Sequence, residues 1–312
     1  MKKLRLIPDD TKIHFAEYRA IWVSLSIICI VASIALYFTR GLNYGIDFEG
    51  GIMLEVKTEQ TADLASIRSA LESLKMGDVG IQNFGAPNDV LIRVEKQPGG
   101  DKAQEAAVSK IKTKLNEVIP GKPDYRRQVV VGPKVSGELK QQGFLAMSLA
   151  ILAMVIYVWF RFEWQFGVGT VLALIHDATL TIGFFSITQL EFNLSVVAAI
   201  LTIVGYSMND SVVVFDRIRE NLRKYKKMGL VELINLSVNE TLTRTIMTSM
   251  TAFLATLALF FFGGEVIRAF SAAMLFGVFI GTYSSIYVGA PVLIWFNLRS
   301  EDVQVQAPAP AK

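Results

Sequence analysis

Six long apolar runs divide the chain, and most of its charged residues lie between them. The runs cover residues 21–38, 144–160, 166–187, 194–215, 245–262 and 269–296. About 20 apolar helical residues are needed to cross a hydrocarbon core about 30 Å thick, so each run is a candidate transmembrane helix. The pattern predicts a polytopic α-helical membrane protein with six transmembrane helices.

The first run, residues 21–38, resembles the core of a cleaved signal peptide in position but not in length. Its apolar stretch is longer than the roughly 7–15 residues of a signal core, and about 20 mostly polar residues precede it. We therefore interpret it as an uncleaved first transmembrane helix. Cys29, the only cysteine, lies within this run, so no intramolecular disulfide can form.

The only long polar segment, residues 41–143, separates the first two runs. Alternating or short apolar stretches predict strands at 52–57, 79–84, 90–94 and 128–131. Apolar residues at helical spacing predict helices at 61–75, capped by Thr61 or Asp63, and at 101–118. Gly85, Pro87 and Asn88 predict a turn between the second and third strands. This order of elements predicts an α+β, ferredoxin-like domain.

Basic residues are concentrated at two places along the chain. They precede the first run, as Lys2, Lys3, Arg5, Lys12 and Arg19, and follow the fourth, as Arg217, Arg219, Arg223, Lys224, Lys226 and Lys227. The link 188–193 has no Lys or Arg. By the positive-inside rule the N-terminal segment 1–20, the basic loop 216–243 and the tail 299–312 are cytoplasmic, and the domain 41–143 is extracytoplasmic.

The net charge of +3 is too small to indicate a nucleic-acid partner. Basic clusters beside a transmembrane helix are better explained by topology and by contact with membrane lipid than by RNA. The tail 299–312, with its alternating Ala and Pro, is predicted to be disordered.

The polar residues offer almost no material for classical catalysis. The segment 41–143 has no cluster of His, Cys or acidic residues with metal-ligand spacing, and no G-x-S-x-G, P-loop or G-x-G-x-x-G motif. His14 and His176 are the only histidines. We predict no metal, no cofactor and no enzymatic activity, and expect a binding or mechanical role for the domain.

The fourth run contains a carboxylate, Asp210, within the stretch IVGYSMNDSVVVFDRIREN (203–221). Ionisable groups inside a bilayer are costly, and they mark proton or substrate pathways. Thr202, Tyr206 and Asn209 share one helical face, with Asp210 at its edge, so this face is expected to be buried in protein or water. Asp210 could bind and release a proton. The alternative is an interfacial Asp that caps or pairs locally.

Arg244, at the start of the fifth run, is the candidate cation for Asp210. Thr248 lies on its helical face, and antiparallel helices would bring the two charges to a similar depth. Arg does not deprotonate, so it would act as a fixed charge. The alternative is that Arg244 extends to the lipid headgroups.

The third run contains two adjacent polar residues, His176 and Asp177. Consecutive helical residues diverge by about 100°, so at most one can point squarely into a polar face. Asp177 is a candidate second proton-relay carboxylate, and His176 is more typical of a buried, hydrogen-bonded histidine.

Four stretches resemble the SecD/SecF family of bacterial protein-export membrane proteins, which is related to the resistance–nodulation–division transporters. They are GLNYGIDFEGG (41–51), HDATLTIGFFSI (176–187), VGYSMNDSVVVFDRIREN (204–221) and FGVFIGTYSSIYVGAPVLIWF (276–296). The resemblance runs over nearly the whole chain except the tail.

The resemblance implies a function in the bacterial cell (inner) membrane. A chain of this type would pair with SecD, which supplies six further transmembrane helices, and work beside the SecYEG channel. Proton flow would drive movements of the extracytoplasmic domains that pull or hold the unfolded, translocating polypeptide.

The resemblance also implies roles for individual residues. The family's proton-path aspartate and arginine correspond to Asp210 and Arg244, and Asp177 matches a recurring family position. A structural turn at the base of the domain corresponds to Gly45, Asp47, Phe48, Gly50 and Gly51, where glycine permits positive φ.

Two other classes of function stay open. One is a proton-coupled efflux subunit for small molecules, although such chains usually have twelve transmembrane helices. The other is a non-transporting scaffold of a channel complex, which would have no need for Asp210 and Arg244.

Overall fold

The computed structural model describes residues 11–296 and 298. Its elements, in chain order, are α1 (Arg19–Arg40), α2 (Ile46–Glu49), β1 (Gly51–Lys57), α3 (Leu64–Glu72), β2 (Val79–Phe84), β3 (Ala86–Val94), α4 (Asp101–Val118), β4 (Asp124–Val131), α5 (Pro133–Arg161), α6 (Trp164–Thr188), α7 (Leu194–Lys224), α8 (Leu230–Phe262), α9 (Arg268–Ser284) and α10 (Ala290–Trp295). A 3₁₀ turn, Glu265–Ile267, precedes α9, and a π-helical turn, Ser285–Gly289, joins α9 to α10. The tail predicted to be disordered lies outside the described residues.

Six helices are long and apolar enough to cross a membrane: α1, α5, α6, α7, α8 and the continuous α9–α10. They correspond to the six apolar runs. The most apolar windows of α6, α7 and α9–α10 are 56%, 50% and 61% buried, against 11%, 6% and 11% for α1, α5 and α8. The first three therefore form the centre of the helical layer, and the other three present most of their apolar surface outward.

The helices extend beyond the apolar runs at their charged ends. Helix α7 continues to Lys224 and α8 begins at Leu230, so the segment predicted as a basic loop, 216–243, is a helical hairpin with its connection at 225–229. Two causes are visible. Its Arg, Lys, Glu and Leu residues are good helix formers, and apolar positions at helical spacing, such as Ile218 and Leu233, are buried between the two helices.

The segment between α1 and α5 forms a four-stranded sheet in the order β2-β3-β1-β4, with every neighbouring pair antiparallel. Helices α3 and α4 supply its apolar layer: Ile67 and Leu71 from α3 and Ile111 and Leu115 from α4 are buried with Leu54 and the other inward positions of the strands. Strands β1 and β2 bury alternate residues, as the period-2 pattern requires, whereas β3 buries three consecutive residues at 90–92 and β4 buries only Val131.

Several boundaries of this segment differ from those predicted. Asp63, not Thr61, caps α3: its Oδ1 accepts hydrogen bonds from the backbone N–H groups of Ala65 and Ser66. These bonds and the Ser66 hydroxyl lower the pKa of Asp63. Pro87 and Asn88, predicted in a turn, lie within β3. Helix α5 begins at Pro133, within the predicted segment 41–143.

Candidate functional site: two buried carboxylates and a clamp

Asp210 lies in α7, 8% exposed, at the junction of α7, α8 and the π-helical turn. Both carboxylate oxygens accept hydrogen bonds from hydroxyl groups. Thr245 Oγ1 of α8 donates to Oδ1 at 2.8 Å, and Ser285 Oγ of the π-helical turn donates to Oδ2 at 2.6 Å. This carboxylate therefore holds three helical segments together, and any change in its charge acts on both hydrogen bonds.

Arg244 precedes Thr245 on α8, and its side chain is exposed. No hydrogen bond or ion pair within 4 Å joins it to Asp210, although its charge is near enough to act on the carboxylate electrostatically. The two residues predicted as a charged pair thus form no hydrogen bond or ion pair, and Thr245, which follows Arg244 in sequence, donates the hydrogen bond to Asp210 instead. A fixed charge that tunes the acid and a side chain that extends to the headgroups are both compatible with this position.

Asp177 of α6 is fully buried at the centre of the helical layer, at 0% exposure. Its Oδ2 accepts hydrogen bonds from Ser207 Oγ of α7 at 2.5 Å and from Ser284 Oγ of α9 at 2.8 Å. Its Oδ1 lies 2.9 Å from Nδ1 of His176. Asp177 thus joins α6 to α7 and α9 as Asp210 joins α7 to α8 and the π-helical turn.

His176 is buried beside Asp177, at 1% exposure, because its ring bends back to its neighbour's carboxylate. The 100° divergence of adjacent residues therefore does not separate the two side chains. The ring stacks on Tyr283 with centroids 5.8 Å apart, and its Nε2 is buried without a hydrogen-bond partner.

The hydroxyl groups that contact the carboxylates were not singled out from the sequence. They are Ser207, Thr245, Ser284 and Ser285. The sequence signal that could have indicated them is the pair Ser284-Ser285, which lies inside the otherwise apolar run 269–296.

The residues predicted as a supporting polar face occupy a different position. Thr202 and Asn209 of α7 and Thr248 of α8 are exposed. The hydroxyls of Thr202 and Thr248 donate to the carbonyls four residues earlier in their own helices. They lie on the outside of this chain, and the hydrogen bonds to the Asp210 carboxylate come from Thr245 and Ser285 instead.

The motif 41–51 and the link between α6 and α7 form a second feature, which we call the clamp (residues 43–48 and 189–194). Gly45 N–H donates to the carbonyl of Phe192 at 2.8 Å, and Phe192 N–H donates to the carbonyl of Asn43 at 2.7 Å. Asp47 Oδ2 accepts from the N–H of Leu194, the first residue of α7, at 3.0 Å. The helix that contains Asp210 is thus attached at its start to the base of the sheet.

Aromatic rings and one cation fill the rest of the clamp. Tyr44, Phe48 and Phe192 pack with ring centroids about 6 Å apart. Arg93 of β3 donates to the carbonyl of Tyr44 at 2.7 Å and lies 3.7 Å from Glu191. Burial, and next a hydrogen bond with Tyr37, raises the pKa of Tyr44 to about 12, so its ring stays neutral at physiological pH.

The described part of the chain contains no group of three or more His, Cys, Asp or Glu side chains arranged to hold a metal ion. The carboxylates and hydroxyl groups that meet here can bind a proton and exchange hydrogen bonds.

Comparisons with known proteins match nearly the whole chain. Residues 110–299 match the family model described as protein export membrane protein SecD/SecF, C-terminal, and residues 38–62 match the SecD/SecF GG motif. Protein translocase subunit SecF of Rickettsia akari (strain Hartford) is 48% identical over 299 residues, covering 95% of this chain and 96% of that protein. The corresponding protein of Rickettsia felis is 47% identical over 305 residues, covering 97% of each.

Two solved structures of SecDF are also similar. The crystal structure of SecDF from Thermus thermophilus, described as a translocon-associated membrane protein, has a TM-score of 0.83 and 32% identity over 94% of this chain. SecDF in a super-membrane-facing form has a TM-score of 0.67 and 34% identity over 96% of this chain. The chain spans 40% of the length of either SecDF chain.

Proposed function

Because the chain belongs to the SecD/SecF family of protein export membrane proteins, we propose that proton binding at Asp210 lets it use the proton-motive force to assist polypeptide translocation. It is a multi-pass subunit of a protein-export machinery. The observation that carries the mechanistic proposal is a buried carboxylate whose two oxygens are each bonded to a hydroxyl of a different helical segment.

Protonation of Asp210 would change the contacts between its neighbours. An ionised carboxylate only accepts hydrogen bonds, and its bonds with Thr245 and Ser285 are charge-assisted. The protonated form gains an O–H donor, so the hydroxyl of either Thr245 or Ser285 must accept a hydrogen bond where it donated one, or lose its bond to Asp210. A proton that enters from one side and leaves to the other would thus alternate the packing of α7 against α8 and the π-helical turn. Asp177, held by Ser207 and Ser284, is proposed as a second relay carboxylate on this route.

The clamp gives this change a route to the soluble segment, which we infer is a ferredoxin-like domain on the extracytoplasmic side. The strand order β2-β3-β1-β4 with antiparallel neighbours supports that assignment. Asp47 connects the start of α7 to the motif from which β1 continues. A shift of α7 would therefore move the base of the domain. The domain could then pull or hold an unfolded polypeptide.

We infer that SecD completes the membrane part and that the assembly works beside the SecYEG channel in the cell (inner) membrane. The similar SecDF chains are longer, and this chain spans 40% of either. The polar side chains on the outside of α7 and α8, Thr202, Asn209 and Thr248, suit contact with such a partner better than contact with lipid tails. The basic N-terminal segment and the 225–229 connection support cytoplasmic termini.

Labelling of introduced cysteines tests this topology. In a Cys29→Ser background, a cysteine replacing Lys102 on α4 is expected to react with a membrane-impermeant reagent added outside the cell membrane. A cysteine replacing Lys226 in the 225–229 connection is expected to react only after permeabilisation. Both positions are exposed, so accessibility of the side chain itself is matched. Equal labelling of the two in intact cells would overturn the proposed arrangement.

Replacement of Arg244 tests whether its charge tunes Asp210. A nearby positive charge favours the ionised acid, so Arg244→Met should keep Asp210 protonated at higher pH. The pH profile of gradient-dependent export is then expected to move to higher pH at matched abundance. Arg244→Lys keeps the charge and should be milder.

An Arg244 that only extends to the headgroups gives the opposite pattern. Arg244→Lys would then have almost no effect on export. Arg244→Met would reduce membrane insertion or abundance, while the pH profile of export would not move. Thr243→Met, an exposed neighbour on the same helix, is a control for the added apolar bulk.

A further inference from the structure

Four consecutive residues at the end of α9, Thr282 to Ser285, contact every helix around them. Thr282 Oγ1 lies 2.6 Å from Ser249 Oγ of α8. Tyr283 donates to the carbonyl of Trp22 in α1 and stacks on His176 of α6. The two serines that follow each donate to a different buried carboxylate, Ser284 to Asp177 and Ser285 to Asp210. Since successive helical residues diverge by about 100°, four side chains cover the whole circumference of the helix.

A π-helical turn begins at the second of these serines and runs to Gly289. Such turns contain one residue more than the α-helical repeat, are rare and often occur at functional sites. The far end of this turn is packed tightly: a Cβ on Gly169 of α6 would lie 2.9 Å from the carbonyl oxygen of Gly289. The turn is thus fixed at Gly289, and its beginning is held by the two hydroxyl–carboxylate bonds.

We propose that Ser284 and Ser285 couple the proton occupancy of Asp177 to that of Asp210, with the π-helical turn as the joint that moves. This inference rests on the proposed function, in which Asp210 binds a proton. The two serines act as positioning residues: they orient the carboxylates and do not themselves titrate.

The coupling follows from the adjacency of the two hydroxyls. While Asp210 is ionised, its bond with Ser285 is charge-assisted and holds the start of the turn. A proton on Asp210 weakens that bond and releases Ser285 to shift with the turn. Ser284 is the preceding residue, so it moves too and is withdrawn from Asp177. Loss of this donor disfavours the ionised form of Asp177, and by linkage the effect is reciprocal.

Direct interaction between the two carboxylates does not account for such coupling. The ionisable groups that face them from the surrounding helices are His176 from α6, Tyr206 from α7 and Arg244 from α8, with Tyr283 of α9 behind His176. Repulsion between the two carboxylates would act in the opposite direction, because a proton on Asp210 would then favour the ionised form of Asp177. Ser284 and Ser285 are adjacent in the chain, so a single peptide bond joins the two residues that donate to the two carboxylates.

Infrared difference spectroscopy against pH tests the proposal on the full-length chain in lipid vesicles, co-purified with its partner subunits. The carbonyl band of each protonated carboxyl is assigned by its loss in Asp210→Asn or Asp177→Asn. Ser284→Ala is expected to shift the titration midpoint of the Asp210 band about tenfold in proton affinity, or about one pH unit, although Ser284 does not contact Asp210. Ser284→Thr keeps the hydroxyl group, so the titration midpoint of the Asp210 band should stay at its parental value.

Ser271→Ala is the matched control, because Ser271 is a fully buried serine of the same helix whose hydroxyl bonds only its own backbone. An unshifted Asp210 band in Ser284→Ala, or an equal shift in Ser271→Ala, overturns the coupling and leaves the proposed function standing. A spectrum that loses no band in Asp210→Asn overturns the proposed function and the coupling with it. If Ser284→Ala does not accumulate, Ser284→Cys provides the same test with similar volume and a weaker donor.

Discussion

Asp210→Asn is expected to abolish the stimulation of polypeptide export by a proton gradient while the chain still folds and assembles. Asn has nearly the same shape as Asp and can still accept a hydrogen bond from Thr245 or Ser285, but it cannot bind and release a proton. Export of a reporter polypeptide into inverted membrane vesicles, measured with and without a gradient, should fall to the gradient-independent rate. Asp210→Glu should retain part of the stimulation, because a displaced acid still titrates.

A second carboxylate on α7 supplies the control for this experiment. Asp216 is partly exposed and forms an ion pair with Arg161 at 2.9 Å. Asp216→Asn removes one negative charge from the same helix, and surface pairs of this kind contribute at most about 1 kcal/mol. In vesicles that contain this variant, export of the reporter polypeptide should still depend on the proton gradient. Full stimulation in Asp210→Asn would mean that the buried carboxylate is structural and does not carry the proton.

Gly51→Ala is expected to prevent the sheet from folding correctly. Gly51 has φ +129°, which L-residues rarely adopt, and a Cβ there would lie 2.5 Å from the carbonyl oxygen of Val94. That oxygen belongs to β3, which pairs with β1 from Ile52↔Val94 to Lys57↔Asp89, so it cannot move aside alone. Strain and clash together should cost on the order of 3 kcal/mol or more. The measurement is steady-state abundance, with limited proteolysis of the segment between α1 and α5.

Gly80→Ala is the matched control in the same sheet. Gly80 lies in β2 with an ordinary φ, and a Cβ there would meet only Arg93 Cβ, at 3.7 Å. This variant should remain within about 1 kcal/mol of the parent. Gly51→Ala protein at parental abundance and protease resistance would contradict the explanation given for the glycine motif.

The positions of the transmembrane helices and of most strands could be predicted from the sequence because they depend on local periodicity. Helix ends could not, because charged residues such as Arg217 and Glu240 continue a helix as readily as they end a transmembrane run. These two side chains pair across the α7–α8 hairpin at 2.7 Å, an interaction between residues distant in sequence. The connection at 225–229 follows from that packing.

Within the site, the carboxylates were predictable and their partners were not. Asp177 and Asp210 stand out because an acid inside an apolar run is costly. Serine and threonine in such a run usually bond to their own backbone, as Thr202 does, so nothing local distinguishes Ser284 and Ser285. Which carboxylate each serine bonds is determined by the packing of α9 and the π-helical turn between α6, α7 and α8.

Under the proposed mechanism, the clamp would make α7 a lever arm. Leu194 and Asp210 are separated by roughly 24 Å along the helix axis, at 1.5 Å per residue. A tilt of about 5° around Asp210 would then carry the attachment point at Leu194 about 2 Å sideways. One proton crossing a potential of 100 mV releases about 2.3 kcal/mol, so each stroke would deliver only a small amount of work over a short distance. A mechanism of this kind cannot drag a polypeptide far in one cycle; it has to hold what it has gained, in the manner of a ratchet, and repeat.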